Sequence, residues 1–246
     1  MLKYILAIII FGVIIFIHEF GHFFVAKLCG IKVNKFALGM GPKILKKQIG
    51  ETEYSLRLFP VGGFCAMEGE DQESENSRAF GNKPVWKRMF VIVAGAFMNI
   101  LLGFVLIVIL TCMRSAVPST IVGGFSTQSE TSEVITAQSY ECGLREGDEI
   151  IKMDGMRIFT PSDLSYQLYS DDDGKFDIVV KRDGKKITLN DVIFHDSATD
   201  SVIDFQIKGL NKNPLNVLAF SGKDTVSTAR MIWISLVDLV TGKYGL

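Results

Sequence analysis

The sequence predicts a membrane α-helical core with at least two transmembrane helices, a β-hairpin region between them, and a small α+β domain after the second helix. Three observations predict this class. Two apolar runs, Tyr4–Ile17 (14 uncharged residues) and Met89–Met113 (25 residues without a charge), are the strongest hydrophobic features of the 246-residue chain. Apolar and polar residues alternate between them, at Tyr54, Leu56 and Leu58 against Glu53, Ser55 and Arg57, as in a half-exposed strand. Beyond Arg114 the chain turns polar, with short strand-like runs and an Asp183-Gly184 hairpin signal. Net charge is −1, so the composition does not suggest a nucleic-acid-binding surface.

Residues 1–29 read as the first transmembrane helix. Tyr4–Ile17 resembles the apolar stretch of a signal peptide, but no small-x-small cleavage site follows it. With Phe23–Ala26 included, the segment can cross a hydrocarbon layer of about 30 Å. Inside it lies His18-Glu19-Phe20-Gly21-His22, an H-E-x-x-H pattern. On a helix His18 and His22 are one turn apart on one face. Two such imidazoles are a zinc-binding pair, and Glu19 is placed to act as general base on a zinc-activated water. His18 lies nine residues before Lys27, roughly 13 Å of helix and well inside the membrane. Ionisable groups at that depth are costly and mark function.

Residues 30–88 carry the hairpin. Lys32, Lys35, Lys43, Lys46 and Lys47 follow the first span, so the positive-inside rule places this loop in the cytoplasm and the N-terminus outside. Residues 25–88 hold 11 Lys/Arg against 7 Asp/Glu, whereas 114–221 hold 11 against 17, in keeping with that asymmetry. Pro60 and Gly62-Gly63 break the Tyr54–Leu58 strand, Phe64–Met67 reads as its partner, and Phe36–Gly41 as a further strand. Glu68–Ser77 reads as a mobile acidic loop. The Tyr54–Leu58 strand fits two roles, pairing with an extended substrate segment by β-addition or forming an ordinary hairpin on the membrane surface.

Residues 89–113 read as the second transmembrane helix, entered through Lys83-Pro84-Val85-Trp86-Lys87-Arg88, cations and an interfacial Trp. Gly95, Ala96, Asn99 and Gly103 suggest a close-packing face, with Asn99 either helix–helix glue or a group near the active site. In residues 114–210, Ser126–Ser139 reads as loop, Gly143–Asp148 as a Gly-bounded loop entering a strand, and Thr160–Tyr169 as a capped helix. Phe176–Val180 and Ile187–Leu189 read as hairpin strands, giving a small, partly open β-barrel. His195, isolated among Asp and Ser, reads as a surface histidine. Residues 211–246 end in an amphipathic segment, Val226–Val240, suited to the membrane interface rather than to spanning. Cys29, Cys65, Cys112 and Cys142 form no metal or disulfide pattern.

Taken in order, these motifs resemble the site-2 protease family of intramembrane zinc metalloproteases, in its bacterial form with a PDZ domain. The resemblance rests on His18-Glu19-Phe20-Gly21-His22, Phe36-Ala37-Leu38-Gly39-Met40-Gly41-Pro42, Pro60-Val61-Gly62-Gly63-Phe64, Ala94-Gly95-Ala96-Phe97-Met98-Asn99 and Gly143-Leu144-Arg145-Glu146-Gly147-Asp148. It implies a membrane-associated β-hairpin and a small α+β PDZ-like domain outside the cytoplasm, in a multi-pass protein of the bacterial inner membrane. It also implies Zn2+ held by His18 and His22, Glu19 as the catalytic base, and cleavage of single-pass transmembrane proteins such as anti-sigma factors or signal-peptide remnants. Tyr54, Leu56, Leu58, Gly143 and Leu144 become candidate substrate-binding residues, the last two either by capturing a peptide carboxylate or by acting as a steric size filter.

The family's third zinc ligand is an Asp in a Leu-Asp-Gly motif on a later helix. No Leu-Asp-Gly occurs here, and neither Asp154 nor Asp238 fits the pattern. Two later spans of the family are also lacking, so the chain reads as the N-terminal part of a longer protein. The alternatives are a catalytically incomplete, membrane-anchored PDZ adaptor lacking the third ligand, or another membrane zinc peptidase with H-E-x-x-H. Glu19 argues against the adaptor, which has no use for a base at that depth.

Overall fold

Both apolar runs form single helices, α1 (Leu2–Leu28) and α2 (Val85–Met113). At 1.5 Å per residue they are about 40 Å long, enough to cross a bilayer. Both pass a length-and-composition test for spanning. Ile5, Ile9 and Phe11 on α1 and Phe90, Ile92 and Phe97 on α2 are exposed, as side chains that meet lipid must be. The structure is a computed structural model and describes residues 2–125, 137–170, 173–194 and 203–241. Residues 126–136 of the expected loop, His195 and residues 242–246 lie outside the described set. The chain divides into two units, Met1–Val105 and Leu106–Leu246.

In the first unit, β1 (Val33–Ile49) and β2 (Thr52–Met67) are long strands that each fold over on themselves, so that 33–38 runs antiparallel to 63–67 and parallel to 53–56. β1 bends at Gly39 and Gly41, whose φ values of 85° and 86° suit glycine. β2 bends at Pro60–Gly62. Residues 35–38 therefore pair on one side with 53–56 and on the other with 63–66, while 45–49 pair with the far side of 52–56. The order across the sheet is 43–49, 52–59, 33–40, 63–67. This corrects two expectations. Phe64–Met67 is not the partner of Tyr54–Leu58, because 33–40 runs between them. Lys43–Ile49 is a strand, not simply a basic loop.

The sheet packs on α1 through Phe23, Phe36 and Tyr54, whose rings meet edge-on or tilted at 5.1–6.1 Å. Gly21 brings α1 close to α2, since a Cβ there would lie 2.6 Å from the Ala94 carbonyl oxygen. Gly103, by contrast, has nothing within 4 Å of the position a Cβ would take, so it is no packing contact among the described residues. The acidic loop is tied down by Glu68, which accepts from Asn34, Ser74 and Lys32.

In the second unit β3 (Val122–Phe125) pairs with β8 (Phe205–Ile207). β4 (Glu149–Met153), β5 (Met156–Arg157), β6 (Phe176–Arg182) and β7 (Lys185–Val192) form a sheet in the order β5-β4-β6-β7. The β6–β7 turn places Asp183 and Gly184 at φ 49° and 79°, the left-handed pair that an Asp-Gly hairpin requires. Two helices, α3 (Gln138–Glu141) and α4 (Pro161–Ser170), complete the domain around a core of Leu144, Ile150, Met153, Leu164, Ile178 and Val180.

The last helix, α5 (Pro214–Thr241), begins well before the expected amphipathic stretch. It is joined to α4 by buried polar groups. Asp163 caps α4 by accepting from the Phe159 and Thr160 amides, and it also accepts from Ser227 and Arg230 of α5. The outer face of α5 exposes Ile232, Trp233, Leu236 and Val240.

Candidate metal centre

α1 carries His18, Glu19 and His22, all partly buried. The two rings lie edge-on with centroids 4.8 Å apart, and their Nε2 atoms are 3.2 Å apart. Two corners of a tetrahedron around zinc, at Zn–N distances of about 2.0–2.1 Å, are about 3.3 Å apart. α2 supplies the remaining partners from residues spaced by four. The Val91 carbonyl accepts from His22 Nδ1 at 2.7 Å, and Asn99 Nδ2 lies 3.2 Å from His18 Nδ1. Between them Gly95 is buried, and a Cβ there would sit 2.5 Å from His22 Nε2 and 2.7 Å from His18 Nε2. The space beside both nitrogens thus exists because residue 95 has no side chain. A nitrogen pair at this spacing, held through its outer nitrogens and facing a cradle that one methyl group would fill, fits zinc.

Glu19 has no hydrogen-bond or ion-pair partner among the described residues, so its carboxylate is uncommitted. Gly63 runs past it, and a Cβ on Gly63 would lie 3.1 Å from Glu19 Cγ. On the same strand Cys65 is buried. Burial first, and then the Glu19 charge, pushes its thiol up to about 12. It is a packing thiol in the cluster with Ile31, Val33 and Phe36.

No group of three His, Cys, Asp or Glu side chains able to hold a metal occurs among the described residues. Asp154 lies in the β4–β5 turn, and Asp238 on α5 accepts from the Tyr166 hydroxyl. Neither belongs to the unit that holds His18.

The candidate substrate-binding residues fare unevenly. Tyr54 is packed between Phe23 and Phe36. Leu58 is exposed, and Leu56 lines an apolar groove of about 600 Å3 together with Ile5, Ile9, Gly12, Phe16 and Leu38. The strand from Tyr54 to Leu56 is paired on both sides, so it has no free edge for β-addition. The free edge near Glu19 is 63–67.

For Gly143 and Leu144 the structure bears on one of the two expected roles, carboxylate capture. The Leu144 side chain is fully buried in the domain core. The amides of Gly143, Leu144, Arg145, Gly147 and Asp148 all donate inside the domain. A buried Asp148, paired with Arg182 through two 2.7 Å contacts, locks the loop. Those amides are not available to a peptide carboxylate.

Sequence reasoning missed Gly95 and the Val91 carbonyl as parts of this centre. The signal was the spacing 91, 95, 99, which puts all three on one face of α2.

A model of peptidase family M50 matches residues 6–246. The chain is 34% identical over 242 residues to a protein of Clostridium acetobutylicum named as a zinc metalloprotease, covering 97% of this chain and 68% of that one. It is 40% identical over 184 residues to a Clostridium perfringens protein of the same description, covering 75% and 52%. It is 27% identical to the regulator of sigma-W protease RasP of Bacillus subtilis, covering 97% and 75%. The chain thus spans between about half and three quarters of the length of these relatives. Zinc is the metal of the group, and the similarities do not favour an adaptor without catalytic function.

Proposed function

The chain belongs to peptidase family M50, a family of zinc-dependent proteases, and from that premise we propose that it cleaves peptide bonds within the membrane. The observation that carries this reading is the His18–His22 pair, Nε2 to Nε2 at 3.2 Å inside a spanning-length helix, with an uncommitted Glu19 beside it. His18 and His22 would hold the metal. When bound, zinc lowers the pKa of water to about 7 and polarises the scissile carbonyl. Glu19 takes the proton of the attacking water and passes it to the leaving nitrogen.

The substrates proposed are membrane-spanning segments of single-pass proteins, of the anti-sigma or signal-peptide-remnant kind. The sigma-W role in the name of the Bacillus subtilis relative supports this. An intact helix hides its amide, so the substrate must unwind. We assign its extended segment to the outer edge of 63–67, where added backbone hydrogen bonds would hold it next to Glu19. A photo-crosslinking residue at Phe64 should capture substrate and one at Leu45, on the opposite edge, should not; equal capture would refute the assignment. The basic residues of 30–88 favour the cytoplasmic side for that region. The PDZ-like domain of 114–210 is then extracytoplasmic.

Glu19→Gln tests the mechanism. It should abolish cleavage of a model transmembrane substrate and leave zinc bound. Normal turnover by that variant would sink the proposed role of Glu19.

A further inference from the structure

What each histidine does with its outer nitrogen decides whether the pair can hold a cation. His22 Nδ1 faces the Val91 carbonyl at 2.7 Å. A carbonyl only accepts, so Nδ1 carries the proton and Nε2 keeps its lone pair. His18 Nδ1 faces Asn99 Nδ2 at 3.2 Å, while Asn99 Oδ1 is buried without a hydrogen-bond partner. With the amide donating, the His18 proton sits on Nε2 and points at His22 Nε2. That closed pair leaves no place for a metal. A half-turn of the carboxamide exchanges its oxygen and nitrogen in nearly the same positions. Oδ1 then accepts from His18 Nδ1–H, the buried oxygen is satisfied, and both Nε2 atoms present lone pairs. Two such lone pairs at 3.2 Å repel unless a cation lies between them.

We propose that Asn99 is a positioning residue whose carboxamide selects the His18 tautomer, accepting from Nδ1–H when zinc is held and donating to Nδ1 when it is not. This rests on His18 and His22 being the zinc ligands. An amide serves both states, a carboxylate only the first, and an aliphatic side chain neither. His22, fixed by a backbone carbonyl, keeps one tautomer throughout. The two ligands are therefore unequal: His22 is preset and His18 is switched.

The test is zinc affinity of the full chain in detergent, measured by chelator competition, together with 15N spectra of the histidine rings. Asn99→Leu should bind zinc about 10–100-fold more weakly than the unsubstituted protein. Asn99→Asp should bind at least as tightly. Adding zinc should move the His18 proton from Nε2 to Nδ1 while His22 stays protonated at Nδ1. Unchanged affinity in Asn99→Leu, equal loss in Asn99→Asp, or a His18 tautomer indifferent to zinc overturns the proposal. His18→Ala separates the two levels of argument. If it keeps full zinc affinity, the metal site itself is misassigned. If it loses zinc while both Asn99 variants bind normally, only the role of Asn99 falls.

Discussion

Gly95→Ala is the sharpest probe of the centre, because it adds one methyl group at a position that touches both ligands. The new Cβ would lie 2.5 Å from His22 Nε2 and 2.7 Å from His18 Nε2, against 3.4 Å for ordinary contact. The rings would have to retreat by about 0.9 and 0.7 Å, which are the differences between those distances. Zinc sites tolerate about 0.2 Å in ligand distance. His22 cannot retreat without stretching its 2.7 Å bond to Val91, nor His18 without leaving Asn99. Zinc affinity should fall at least 100-fold, about 2.7 kcal/mol. The helix itself favours alanine over glycine by about 1 kcal/mol, so the backbone gives no reason for unfolding. Gly103→Ala is the control, since its Cβ would meet nothing within 4 Å. The assay is competition with a chromophoric chelator, with circular dichroism confirming the fold. A folded Gly95→Ala protein with undiminished zinc affinity would refute the cradle.

Two further outcomes follow from charges elsewhere. Arg230→Ala leaves the fully buried Asp163 without its cation, although Ser227 and two backbone amides still donate. Denaturant unfolding of the second unit should show a loss of about 2–3 kcal/mol, less than the 3–5 typical when one partner of a buried ion pair is removed; a change below 0.5 kcal/mol would contradict the clamp. Glu51 bonds Arg78 at 2.7 and 2.8 Å and Lys27 at 2.7 Å, and these partners, Arg78 foremost, hold its carboxyl down at about 2. An ordinary glutamate titrates near 4.3, so the stabilisation is whole above about pH 5 and disappears as pH falls towards 2. Thermal midpoints measured from pH 6 to pH 3 should fall less steeply for Glu51→Gln than for the unsubstituted protein, and parallel curves would count against the pairing.

The helices and the His18–Glu19–His22 triplet were legible because their signals are local. Apolar length sets the helices, and a spacing of four sets the two imidazoles on one face. The Asp183-Gly184 hairpin was legible for the same reason. The sheet order was not. Alternation at Tyr54–Leu58 identifies a strand, but not that β1 and β2 each bend and cross, which depends on pairings up to about 34 residues apart. Leu144 was misread because a Gly-Leu segment looks the same whether its leucine lines a pocket or fills a core. Gly95 carried a packing signal in the sequence, and only its position opposite two ring nitrogens reveals what it makes room for.

The Asp163 junction bears on how the second unit moves. α5 is about 42 Å of helix, riveted near its middle to the start of α4 by Ser227 and Arg230, with Tyr166 meeting Asp238 further along. The helix is thus fastened to the domain at two places along its length. A tilt that a bulky partner imposes on the domain would be carried along the shaft to Trp233 and Val240, so the load would register at the far end of α5.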